Sequence, residues 1–185
     1  LKQAVRELKT EEFSDTFDEE TMPQNDNEPE FVADCVVETD LAAMFPATFV
    51  PQESERISLY QELDNMEREE DVANFRLNLQ DRFGIIPEPA EELICVVSLR
   101  REAKSLGIQR LVLKQGKMHL RFVGVENKAY YQSNAFGKIL AYINQNTLRC
   151  VFRRDEVKPS VIIDKVLSVR AALDILQLIK SLPAS

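Results

Sequence analysis

Apolar side chains recur every three or four positions from Ile57 to Leu106, then every second position from Leu111 to Phe122; that change of period divides the chain. Ile57, Tyr60, Leu63 and Met66 predict a helix starting near Ser54, just after Pro51. Tyr60 on that face reads as a core ring with a wet hydroxyl rather than as a site residue. Val72, Phe75, Leu79 and Phe83 predict a second helix from Glu70 or Asp71, a single stripe that Gly84 closes. A third helix over 89–106 opens with Pro89, carries Glu91 and Glu92 in its first turn, and has Arg100, Arg101 and Lys104 near its end. That charge order suits the helix dipole at both ends. Its apolar set (Leu93, Val96, Val97, Leu99, Ala103 and Leu106) is wide enough to touch two neighbours.

Between the second and third helices lies a corner of Asp81, Arg82, Phe83, Gly84, Pro87 and Pro89. Asp81 and Arg82 read as corner charges, and Phe83 as the anchor, so that Phe83→Ala would cost about 3–5 kcal/mol. Beyond Gly107, segments 109–115 and 117–123 alternate around Gly116 and predict a hairpin. A helix over 128–145 should face Phe136, Ile139, Leu140 and Ile143 inward. Segment 148–153 reads as a strand with Leu148, Cys150 and Phe152 on one face, and Pro159 confines a strand at 160–163 to an edge or a late start. The last helix, 167–182, carries Val169, Leu173, Leu176 and Ile179. Ahead of all this, 31–38 reads as a strand, and 41–51 as an irregular stretch laid over the core by Met44, Phe45, Phe49 and Val50. The fold class expected is α+β, with a three-helix N-terminal half packed with a small, mostly antiparallel sheet and a C-terminal helix.

The first thirty residues differ. Residues 1–9 give about two helical turns through Leu1, Val5 and Leu8. Residues 10–30 hold nine acids and no Lys or Arg, with Phe13, Phe17 and Met22 as the large apolar groups, and predict a flexible acidic linker. Of the net charge of −8, the rest of the chain therefore carries +1, and neither sign identifies a partner. The missing initial Met suggests a piece of a longer chain, and the charged start is no signal peptide. No apolar run reaches the ~18–20 residues of a membrane span. Cys35, Cys95 and Cys150 are far apart and in apolar settings, as buried free thiols of a cytoplasmic protein would be.

The sequence lacks the common catalytic constellations. Its five glycines are scattered, with no Gly-x4-Gly-Lys-Ser/Thr to bring backbone amides to phosphate. Three isolated cysteines and one histidine do not make a zinc set. His119 alternates with Lys117 and Arg121 against Met118, Leu120 and Phe122, which places it on a wet strand face. Glu91-Glu92 and Glu69-Glu70-Asp71 sit where helix starts favour negative charge, so capping acids outweigh general acids. Arg110, Lys114, Lys117, Arg121, Arg149, Arg153, Arg154 and Lys158 could gather on one side of the sheet near Tyr130 and Tyr131. An accessory nucleic-acid-binding module is therefore the alternative to a binding or regulatory domain.

Leu79-Gln80-Asp81-Arg82-Phe83-Gly84-Ile85-Ile86-Pro87-Glu88-Pro89 resembles a segment of the C-terminal domain of bacterial transcription-repair coupling factors (Mfd). Ala43-Met44-Phe45-Pro46 with Phe49-Val50-Pro51 looks like that domain's entry, Arg56–Leu63 like its first helix, and Leu106-Gly107-Ile108 like its helix-to-strand corner. Phe49, Gln52 and Asn78 depart from the usual tyrosine, acid and glutamate. The resemblance implies that 1–9 ends a helix of a preceding translocase module, and that 31–185 is a C-terminal regulatory domain without catalytic, cofactor or metal residues. It implies a parent that displaces stalled RNA polymerase by ATP-driven translocation on DNA, with ATP and Mg held in its motor, and that recruits excision repair. Within that parent, the domain would dock on a module resembling UvrB and mask the surface that UvrA binds. Glu62, Glu69 and Glu70 are the docking acids this reading selects.

Overall fold

The computed structural model describes residues 30–155 and 157–184. The readings of residues 1–9 and of all but the last residue of 10–30 lie outside them. The three early helices are α1 (Glu53–Asp64), α2 (Glu69–Phe83) and α3 (Glu88–Ser105). Helix α2 buries Val72, Phe75 and Leu79 along the expected stripe. Helix α1 turns only part of its expected face inward, Leu63 and Met66 but not Ile57 and Tyr60. Leu59 and Leu63, an i, i+4 pair, are buried, while Ile57 is 49% exposed and Tyr60 37%. Tyr60 lies at the rim because the irregular stretch before α1 crosses it: the Phe45 amide donates to the Tyr60 hydroxyl at 3.0 Å, with the two rings 5.0 Å apart. That stretch buries Phe45 and Val50 as expected, but Met44 is exposed.

Helix α3 is the wall between two apolar clusters. Ala90, Ile94 and Val97 join the α1–α2 side, and Cys95, Leu99, Ala103 and Leu106 join the sheet side. Its width of apolar surface was legible in sequence; Ile94 and Cys95 extend it further round the helix. Its C-terminal cations reach back across the layer. Arg100 pairs with Asp64 at 2.9 Å, Arg101 with Glu69, and Lys104 with Glu30 at 2.6 Å. At its other end, the Glu92 carboxylate accepts from the Val169 amide at 2.7 Å and so caps the last helix as well as suiting its own dipole.

The sheet has five strands in the order β1-β2-β3-β5-β4: Val36–Thr39, Ile108–Lys114, Lys117–Phe122, Ser160–Ile163 and Cys150–Arg153. Only β1 and β2 run parallel, so the sheet is mostly antiparallel, as expected. The strand expected over 31–38 forms only from Val36, because the Asp34 carboxylate accepts from the Cys35 amide at 2.8 Å and turns the chain first. Gln115 and Gly116 both take positive φ in the two-residue turn between β2 and β3. Pro159 permits a late start rather than an edge: β5 lies between β3 and β4, and the Pro159 carbonyl accepts from Phe122. Leu148 is fully exposed, not paired with Cys150 and Phe152, because Arg149 and Cys150 bond back to the Asn146 carbonyl in a turn.

The helix expected over 128–145 is two. Asn127 caps α4 (Lys128–Tyr131) and Ser133 caps α5 (Asn134–Gln145), each accepting from an amide three residues on. The break drives Tyr130 inward. Its hydroxyl donates to the Leu106 carbonyl at 2.8 Å, and its ring lies where a Cβ on Gly107 would come within 2.2 Å. Gly107 therefore serves twice, for its φ of +74° and for the space it leaves. Helix α6 (Val169–Ser181) closes the layer, with Ser168 as its cap.

Phe83 is not the buried anchor of its corner. It is half-buried, packing on Phe49 with centroids 5.6 Å apart, whereas Leu79 one turn earlier is 1% exposed. Gly84 closes α2 with a positive φ, +87°, but its ψ of −152° lies outside the left-handed helical conformation expected there. Leu79→Ala should cost about 2–5 kcal/mol in a urea titration, and Phe83→Ala should cost less than Leu79→Ala. Equal losses would return Phe83 to the core. Tyr130→Phe, which orphans the Leu106 carbonyl, should cost about 1–3 kcal/mol.

Candidate docking surfaces

The corner residues are architecture more than site. Asp81 and Arg82 are exposed; Arg82 lies 4.8 Å over the Phe83 ring and pairs with Glu55 at 3.5 Å. Pro89 occupies the first turn of α3, and Pro87 is its extended N-cap. Glu62 and Asp81 line one shallow hollow of about 260 Å³ between α1 and α2, with Leu59, Phe75, Asn78, Leu79 and Arg82. Glu69 and Glu70 stand apart from it, at the start of α2. Glu69 is engaged by Arg101, whereas Glu70 pairs only with the exposed Arg68 beside it, at 3.1 Å. The three expected docking acids are therefore not one cluster, and among the described residues Glu62 and Glu70 are the two that face solvent without a partner across the fold.

What the even reading of the body charge missed is a division by layer. Residues 52–92 carry twelve acids against four arginines, and 107–165 carry eleven Lys and Arg against four acids. A window of about forty residues would have found it. Because the first span is α1, α2 and the start of α3 and the second is most of the sheet, the molecule has an acidic helical side and a basic sheet side.

The basic side is the sheet face that no helix covers among the described residues. Alternation places Arg110, Lys114, Lys117, His119, Arg121 and Arg153 there, and the register sets Arg121 and Arg153 on either side of the small, buried Ser160. Arg121, Arg153, Arg154 and Lys158 wall a trough of about 620 Å³ over His119 and Ser160, with Asp155 at one end. Not all the expected cations belong to it. Arg110 and Lys114 share Glu38, at 2.5 and 3.7 Å, and Arg149 is spent on the carbonyls of Asp164 and Lys165. Tyr130, fully buried, is no part of any surface. Among the described residues no ion pair is formed by Lys117, Arg121, Arg153, Arg154 or Lys158, whereas three of the four arginines of 52–92 have one. Burial, then the charges of Arg121, Arg153 and Arg110, push the His119 imidazole below its usual range, so it sits neutral among cations near pH 7.

No described group of three His, Cys, Asp or Glu could hold a metal ion. Burial pushes the Cys35 thiol up to about 12, with Asp34 adding to the effect, and raises Cys95 and Cys150 as well. Burial also raises Tyr130 and Tyr142 and takes Tyr131 to about 12. Raised acids favour their neutral form in the fold, so this contribution is complete below the unfolded values near 9 and 10 and is lost as pH climbs toward 12. The urea midpoint should fall steadily from pH 8 to pH 11, and an aromatic disulfide reagent at pH 8 should titrate the three thiols only after unfolding. Immediate reaction of the folded chain would overturn the burial argument.

A family model described as the TRCF domain matches residues 39–133, half of the chain, from the end of β1 to the Ser133 cap. The transcription-repair-coupling factor of Escherichia coli is 33% identical over 75 residues, 40% of this chain and 6% of its own. That of Rickettsia prowazekii is 22% identical over 185 residues, 96% of this chain and 15% of its own. The chain thus corresponds to a small part of these relatives. In fold it is similar to the crystal structure of the C-terminal domain of transcription-repair coupling factor, with a TM-score of 0.63 at 16% identity over 80% of this chain and 96% of that one. By the matched stretch, which holds both the Asp81–Pro89 corner and the Gly107–Tyr130 contact, this chain belongs to the TRCF domain family.

Proposed function

We propose that this domain is the regulatory C-terminal piece of a transcription-repair coupling factor and acts by reversible docking rather than by catalysis. In this reading the acidic side, α1 and α2, docks on a UvrB-like module of the parent and covers the surface to which UvrA binds. The parent's ATP- and Mg-dependent motor and its contacts with DNA and RNA polymerase lie in other parts of the chain. The observation that carries the reading is the acidic helical layer, in which Glu62 and Glu70 remain open to solvent while the layer's arginines are largely neutralised from within. Docking surfaces between domains are comparatively polar and bury about 600–1,500 Å², a range in which release can be gated. A coupling of about 1–3 kcal/mol would give 5–150-fold control over access.

In the full-length parent, Glu62→Lys with Glu70→Lys should raise UvrA affinity within that range, as should removal of residues 31–185. Glu69→Lys is the less informative change, since it also breaks the ion pair to Arg101. Unchanged UvrA affinity in the charge-reversed parent, with gain on truncation, would move the docking face elsewhere. No gain on truncation would end the masking hypothesis.

A further inference from the structure

On the helix side of the sheet's far end lies a second hollow, of about 580 Å³, floored by Tyr131, Phe136, Leu140 and Phe152 and rimmed by Lys128 and Arg154. It meets the arginine trough of the open face at Arg154 and Asp155, which line both. An aromatic hollow continuous with a trough of unpaired cations suits a ligand that interleaves apolar rings with negative charge. Residues 11–22 have that composition: Glu-Glu-Phe-Ser-Asp-Thr-Phe-Asp-Glu-Glu-Thr-Met, with Phe13 and Phe17 four apart, six acids and no cation. We propose that the hollow and the trough form one docking site, and that its occupant is this acidic, aromatic stretch of the same chain.

Where the chain enters the described fold favours that occupant. The Phe31 ring lies 5.1 Å from Tyr130, and Tyr130 lies 5.1 Å from Tyr131 and 5.6 Å from Phe136, two residues of the hollow. The entry point is thus two rings from the site. Phe31 lies nine positions after Met22, a span of up to about 30 Å when extended, which is ample. A tether of this length holds a ligand at an effective concentration of the order of millimolar, so a weak contact is enough. The acids would neutralise Arg121, Arg153, Arg154 and Lys158, which find no partner among the described residues, while the two phenylalanines fill the hollow. The trough half of this contact lies on the sheet face opposite the acidic helical layer, and the contact does not depend on the docking proposed for that layer.

Two measurements on the whole chain test it. A spin label on Thr16→Cys, with the three native thiols buried, should broaden the ring signals of His119 and Phe152. His119, the sole histidine, gives an unambiguous reporter. Arg121→Glu with Arg154→Glu should abolish the broadening, both residues being exposed and outside the core. Separately, changing Glu11, Glu12, Asp15, Asp18, Glu19 and Glu20 to amides should uncover the trough. An oligothymidylate of about 20 nucleotides, used as a probe polyanion at low salt, should then bind at least about fivefold tighter than to the unaltered chain. Equal binding to both chains would overturn the proposal and leave the trough an open nucleic-acid surface. Broadening no stronger at His119 than along α2 would overturn it independently.

Discussion

The corner at Leu106-Gly107 depends on one tyrosine. Tyr130 brings its hydroxyl to the carbonyl of Leu106, the C-cap of α3, and lays its ring against a residue that can have no side chain. A phenol with no exposed surface must satisfy its O–H internally, and the carbonyl at a helix end is an acceptor that the helix itself leaves vacant. One contact thereby satisfies two groups and sets the direction in which β2 leaves α3. It also determines why α4 is a single turn, since the chain must reverse at once for α5 to reach the sheet. The rings of Phe31, Phe122, Tyr131 and Phe136 gather around the same point and bind the first described residues to the last part of the sheet.

Charge is arranged over this frame by a different logic. On the helical side, cations near the end of α3 clip the end of α1 and the start of α2, pairs that are partly exposed and individually worth little. On the sheet side the pairing stops, among the described residues, at Glu38, and the cations of the trough stand together over a neutral histidine. Repulsion among them is tolerable in water but is a standing cost, which an anionic ligand removes. The two sides therefore differ in kind as well as in sign: one is internally balanced with a few acids left over, and the other is left unbalanced.

Much of the frame was readable from spacing. The stripe Val72–Phe75–Leu79, the positive φ at Gly84, the hairpin around Gly116 and the α+β class follow from local rules that tertiary contacts reinforced. The failures occurred where a distant contact decided. Ile57 and Tyr60 share a face with Leu63 on a helical wheel, yet the inward direction of α1 depends on Phe45 and Val50, outside the helix. The Ser133 cap went unread, and nothing in 128–145 alone says that the helix must stop for Tyr130 to reach Leu106. Leu148 continued an alternating pattern that a turn at Asn146 had not yet begun. The corner signature, by contrast, served recognition better than mechanics, because Phe83 is a lid on Phe49 rather than a keystone. The trough was half legible: the cations were named, but only the register shows which of them flank Ser160 and which are already spent.

The two apolar clusters meet along a single element. Residues of α1 and α2 pack on one side of α3 and those of the sheet, α5 and α6 on the other, so most apolar contacts between the halves pass through that helix. Such a domain has a built-in seam. Amides of α1 and α2 can exchange through partial opening that leaves the sheet folded, at a free energy below that of global unfolding, while those of β2 and β3 wait for the whole structure to come apart. The helical layer is in this sense a separately yielding shell, able to give way under load without surrendering the rest of the fold.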